Sequence, residues 1–144
     1  MAEIDKKIIK QIAEKIDFGL ECFYNRKTGV VIAMPSGLDS YDIDDDDEFY
    51  KDDLATIKKN GRDFITITQP VSHESFKFME DFATEIKEGR FKNQLEDALQ
   101  GKKPFQNFRF LIDGSDYRQD WFDFKQKALE QYVESEIEWK LEDE

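Results

Sequence analysis

The sequence predicts an α+β fold: a small three-stranded sheet, built from a hairpin and a third strand, packed by helices and followed by a helical C-terminal half. Three observations carry that prediction. Isoleucines recur every four residues near the start, two short aromatic and β-branched runs follow, and after Pro70 only helical spacing remains. Strands in front and helices behind describe an α+β arrangement. At 144 residues, with no break in composition, one domain over 1–144 is expected.

Ile4, Ile8, Ile12 and Ile16, widened by Ile9 and Ala13, put an apolar stripe on one face of a first helix, which Gly19 ends. Residues 20–24 and 30–34 read as strands. The connector Asn25-Arg26-Lys27-Thr28-Gly29, with Asn and Gly at its ends, suits a β-hairpin, and Pro35-Ser36-Gly37 closes the second strand. Tyr50, Leu54 and Ile57 keep helical spacing over 49–59. Residues 64–68 alternate large apolar side chains with Thr as a third strand, and the connection before it is long enough for either a parallel or an antiparallel pairing. Helices are expected to cover one face of this sheet.

In the second half, Ser72 is a suitable N-cap for a helix carrying Phe76, Met79, Phe82, Ala83 and Ile86. A helix over 91–100 should end at Gly101, and Pro104 can open a short one through Phe105, Phe108 and Leu111, with Phe105 and Phe108 in the core. Asp116 and Gln119 have the spacing of a capping box for the last and longest helix, 117–141.

Composition bounds function. The net charge of −12 keeps the chain soluble and opposes contact with polyanions, both nucleic acid and anionic membrane, while favouring basic protein surfaces and divalent cations. No stretch approaches the roughly 20 apolar residues that span a bilayer. With one cysteine and no apolar leader at the start, a cytoplasmic location is expected. The charge is polarised. Acids crowd residues 39–53 and the segment from Glu134, whereas between Lys87 and Arg109 the bases Lys87, Arg90, Lys92, Lys102, Lys103 and Arg109 outnumber Glu88, Glu96 and Asp97.

Candidate chemistry is sparse. Asp42, Asp44 and Asp46 alternate like the first ligands of a calcium loop, but Asp47 stands where such a loop needs Gly and Asp53 where it needs Glu. A dipole-matched helix start, with Lys58 and Lys59 at the far end, explains the same acids. His73 is the only histidine; Ser72 and Ser75 could pair with it but are adjacent by helix geometry, and no orienting partner is legible. Cys22 lies inside a strand with no cation closer in sequence than Arg26, as a buried small hydrophobe would. No phosphate-binding glycine motif occurs. Catalytic residues and a cofactor are therefore not expected.

Binding is the remaining reading. Trp121, Phe124, Ala128, Tyr132 and Trp139 form a second apolar row on the last helix beside Phe122, Leu129, Val133 and Ile137. An uncovered aromatic row would mark a partner surface or a homodimer face. Trp121, Phe124, Tyr132 and Trp139, with Lys102, Lys103 and Arg109, are the candidate partner-binding residues. Bases interleaved with Phe between Lys87 and Arg109 offer an alternative, contact with nucleic acid, which the overall charge disfavours. An uncharacterised enzyme is the third reading.

His73-Glu74-Ser75-Phe76-Lys77-Phe78-Met79-Glu80-Asp81-Phe82, then Leu95, Ala98-Leu99, Gly101-Lys102, Phe105, Phe108 and Trp121-Phe122 in order, resemble the core motif of uncharacterised protein family 0158 (UPF0158), small bacterial proteins. The resemblance covers the second half well and the hairpin more loosely. It implies a bacterial, cytosolic, single-domain protein and supplies no catalytic residue.

Overall fold

The structure, a computed structural model, describes residues 4–35 and 48–142. In chain order these form α1 (Lys6–Asp17), β1 (Leu20–Asn25), β2 (Val31–Pro35), α2 (Glu48–Lys59), a 3-10 turn at Gly61–Asp63, β3 (Phe64–Ile67), α3 (Ser72–Glu85), α4 (Gly89–Gln100), α5 (Pro104–Asp113) and α6 (Arg118–Glu142). They divide into two compact units. One comprises the chain up to Gln69 together with residues from Leu129 onward, and the other is Pro70–Ala128, so α6 contributes to both.

In the first unit, the Asp5 side chain caps α1 by accepting from the Lys7 N–H at 2.8 Å. Ile9, Ile12, Ala13 and Ile16 are its buried face, as their spacing requires. The hairpin turn is held by Asn25, whose Oδ1 accepts from the N–H groups of Lys27 (2.9 Å) and Thr28 (3.0 Å). Gly29 supplies the positive φ of +79° that closes it.

The sheet order is β2-β1-β3, and both pairings are antiparallel, which resolves the direction of the third strand. Glu21, Cys22, Phe23, Tyr24 and Asn25 on the central strand are all buried. Consecutive side chains on a strand point to opposite faces, so five buried in a row require both faces to be covered. On one face the Cys22 thiol meets the Ile12 carbonyl of α1 at 4.0 Å. On the other, Phe23 and Met34 pack with Leu54 of α2 and with the half-buried Ile32, Ile57 and Phe64. The expected single covered face is thus corrected to two.

The second unit is helical. Met79, Phe82, Ala83, Ile86, Phe91, Leu95, Leu99, Phe108, Ile112 and Trp121 form one buried cluster. Trp121 is its hub: its ring meets Phe108 edge-on at 5.0 Å and Phe82 at 5.3 Å. Edge-to-face pairs add about 0.5–1.5 kcal/mol each beyond the area they bury. Pro104 opens α5, while Gly101 and Gly114 stand at the C-caps of α4 and α5.

Two expected caps are corrected. Val71 is the N-cap of α3 and Ser72 is already helical, with no side-chain cap bond. Ahead of α6, the Ser115 hydroxyl rather than Asp116 accepts from the Tyr117 N–H at 3.1 Å, and Gln119 donates to Asp123 one turn on. Phe105 is corrected as well: it is exposed, lying edge-on to Phe76 at 6.2 Å, while Phe108 is core.

Candidate functional site

The candidate surface is built on α6. Within the first unit, Leu129, Val133 and Ile137 recur every four residues and are buried. Two longer side chains tie this half of the helix to β3 and the residue after it. The Tyr132 hydroxyl donates to the Thr68 carbonyl at 3.0 Å, and the Lys140 ammonium donates to the Thr66 carbonyl. Lys140 also lies 3.9 Å from Glu136.

Trp139 sits about 200° around the helix from Ile137, at 100° per residue, so it points away from the buried row. It is 61% exposed, in a structure where most large apolar side chains are covered. Glu134 and Glu138 on the same helix are exposed too. The base nearest Trp139, Lys140, is engaged with β3 and Glu136, so the acidity of this stretch is little offset.

Charge divides between the units more sharply than along the chain. The first holds 11 Lys and Arg against 22 Asp and Glu, and Pro70–Ala128 holds 10 against 11. Nine of those 22 acids, among them Asp39, Asp42 and Asp44–Asp47, lie outside the described residues. An exposed aromatic side chain in a chain of net charge −12 can seat a basic partner: the field raises the encounter rate and the ring supplies contact area.

The other sequence candidates fall elsewhere. Trp121 is buried at the hub of the second unit's core, and Phe124 is half-buried beside it, its ring 5.4 Å from Phe82. Tyr132 is half-buried and anchored by its hydroxyl. Lys102, Lys103 and Arg109 are exposed at the turn before α5 and on α5 itself. Asp42, Asp44 and Asp46 lie outside the described residues. Among the described residues, no group of three or more His, Cys, Asp or Glu is placed to hold a metal ion.

Sequence reasoning passed over Arg118, which lies in the second unit 3.5 Å from Asp113 with its guanidinium 5.1 Å from the centre of the Phe122 ring. Its position four residues before Phe122 on a helix was the available signal. An open cleft of about 390 Å³ in the same unit is lined by Glu88, Arg90, Phe91, Gln94, Gly114, Ser115, Asp116 and Tyr117. Carboxylates and a guanidinium share its rim, and the Phe91 and Tyr117 rings stack at 5.0 Å.

His73 is exposed on the first turn of α3. Cys22 is fully buried, and its thiol is pushed up to about 11, mainly by burial, with the Glu21 carboxylate adding and Lys15 opposing. A thiol so placed is protonated at neutral pH and is a poor nucleophile.

Fold and surface together define an α+β protein in which an acidic unit built round a three-stranded antiparallel sheet presents an exposed tryptophan. The chain belongs to the Uncharacterised protein family (UPF0158), whose profile matches residues 3–144. It is 29% identical over 93 residues to UPF0158 protein PA5073 of Pseudomonas aeruginosa, a match covering 63% of this chain and 58% of that relative's length. No solved structure matches the chain significantly. Among the described residues, no helix is long and apolar enough to cross a membrane.

Proposed function

We propose that the chain is a nonenzymatic, cytosolic binding or regulatory module whose acidic unit engages a basic protein partner, with Trp139 as the anchor. The observation that supports this most is the 61% exposure of Trp139 on a helix whose neighbouring base is turned to the sheet. Tryptophan is costly to leave in water and is enriched among the few residues that dominate binding energies. The −12 charge, concentrated in the same unit, sets the sign of the partner.

Affinity purification from the native cell tests the reading with three proteins: the natural chain, Trp139→Ala, and a variant with Asp44–Asp47 changed to Asn and Ser. A basic protein retained by the natural chain, released by moderate salt and lost from both variants is the expected result. An unchanged set of partners across the three would overturn it.

A further inference from the structure

From Ala98 to Ile112 the chain contains no Asp or Glu, a fifteen-residue gap in a sequence with 33 of them. In the structure that gap runs through the end of α4, the turn at Gly101–Lys103, and α5. The buried face of α5 is Phe108 and Ile112, one turn apart. Phe110 lies about 200° round from Phe108, and it is 78% exposed. Its helix neighbours three and four residues back are the exposed amides Asn107 and Gln106.

Three exposed cations belong to the same segment, Lys102 and Lys103 in the turn before α5 and Arg109 next to Phe110 in sequence. The turn that carries the two lysines is held in place. Asn107 donates from its side chain to the Lys102 carbonyl at 2.8 Å and from its backbone to the Lys103 carbonyl at 3.0 Å. Lys103 has a φ of +50°, the one positive φ outside glycine among the described residues. A residue without glycine's freedom held in this region is strained, and such strain concentrates at functional positions. Asp113 lies 3.7 Å from Arg109, but both side chains are largely in water, so this pair holds the guanidinium only loosely.

We infer that the α4–α5 corner binds a short stretch of single-stranded nucleic acid, with Lys102, Lys103 and Arg109 on phosphates and Phe110 stacked on a base. Cations alone would suit any anion. An exposed ring with the exposed amide of Gln106 one turn before it suits a base, which offers a π-face and hydrogen-bonding edges together. An acidic peptide would use the cations and leave the exposed Phe110 ring without a role. The near-neutral charge of Pro70–Ala128, 10 Lys and Arg against 11 Asp and Glu, permits such contact. This site is separate in residues and in chemistry from the one built on Trp139.

The test is fluorescence anisotropy of a labelled oligodeoxythymidylate of about 12 nucleotides titrated with the full chain at rising salt. Three phosphate contacts give a log–log salt slope of about −2. The double variant Lys102→Ala, Lys103→Ala should lose more than half of that slope. Phe110→Ala should weaken binding about tenfold at an unchanged slope, since a stacked base is lost and no charge is. Circular dichroism shows whether each variant keeps its helices, as exposed positions should allow. Trp139→Ala should bind the oligonucleotide normally, which separates this site from the protein-binding one. No anisotropy change at the lowest salt overturns the inference. So does equal competition by oligoglutamate with no effect of Phe110→Ala, the result expected of an acidic-peptide site.

Discussion

Trp121 and Trp139 stand eighteen residues apart on α6, five full turns of an α-helix, so they share one helix face, yet they are 8% and 61% exposed. The aromatic row is real along the helix, but what covers it changes. In the second unit Phe82, Phe108 and Phe124 enclose Trp121. In the first unit Leu129, Val133 and Ile137 are the buried residues of the helix and Trp139 is exposed.

Acrylamide quenching reports that difference directly. With Trp139→Phe, the remaining Trp121 should emit at shorter wavelength and resist quenching. With Trp121→Phe, the remaining Trp139 should emit at longer wavelength and be quenched readily. Equal accessibility of the two rings would contradict their placement.

Phe108→Ala should destabilise the protein by about 3–5 kcal/mol, because a large ring is removed from a closed cluster that cannot fully collapse. Phe110→Ala, two residues away and 78% exposed, should stay within about 0.5 kcal/mol of the natural chain. Urea denaturation of both variants measures the contrast, and similar losses would show that α5 is not packed through Phe108.

The Cys22 thiol, pushed up to about 11 from an ordinary 9.0, ties stability to alkaline pH. Its folded pKa is raised, so its contribution is complete below about 9 and fades as pH climbs through about 11. Relative to Cys22→Ala, the natural chain should lose stability across that window and not below it. At pH 8 the native thiol should be inert to disulfide reagents and react only after unfolding. Rapid labelling of the folded protein would contradict its burial.

Gly29→Ala should lower stability by about 1 kcal/mol, roughly 4 °C in Tm, because the turn needs its φ of +79°. Space is not the obstacle: an added Cβ would lie an ordinary 3.7 Å from the Ile8 Cδ1. Gly29→Asn should therefore cost less, since Asn tolerates the left-handed region. Thermal scans of both variants decide it.

Much of the fold was legible because single patterns had single causes. The four-residue isoleucine spacing became α1, and Asn25 with Gly29 became the hairpin turn. Caps were less legible. Ser72 and Asp116 have the right chemistry, but Val71 holds the cap of α3 and Ser72 is already helical, while ahead of α6 the Ser115 hydroxyl accepts from the Tyr117 N–H. The candidate surface was less legible: Trp121, Phe124, Tyr132 and Trp139 share helical spacing, yet Trp121 is buried and Trp139 is 61% exposed, because coverage comes from elements distant in sequence. Phe110 could have been separated from Phe108 by the 200° between them, had α5 been read as a wheel rather than as a run of phenylalanines.

The most direct test places a photocrosslinking phenylalanine analogue at Trp139 in the native cell, with the same analogue at the exposed Glu14 of α1 as a control. Trp139 should yield a specific adduct with a basic protein, diminished by salt and absent from the Glu14 control. Adducts indistinguishable between the two positions, or none at Trp139, would contradict the assignment of that tryptophan as the anchor of a protein interface.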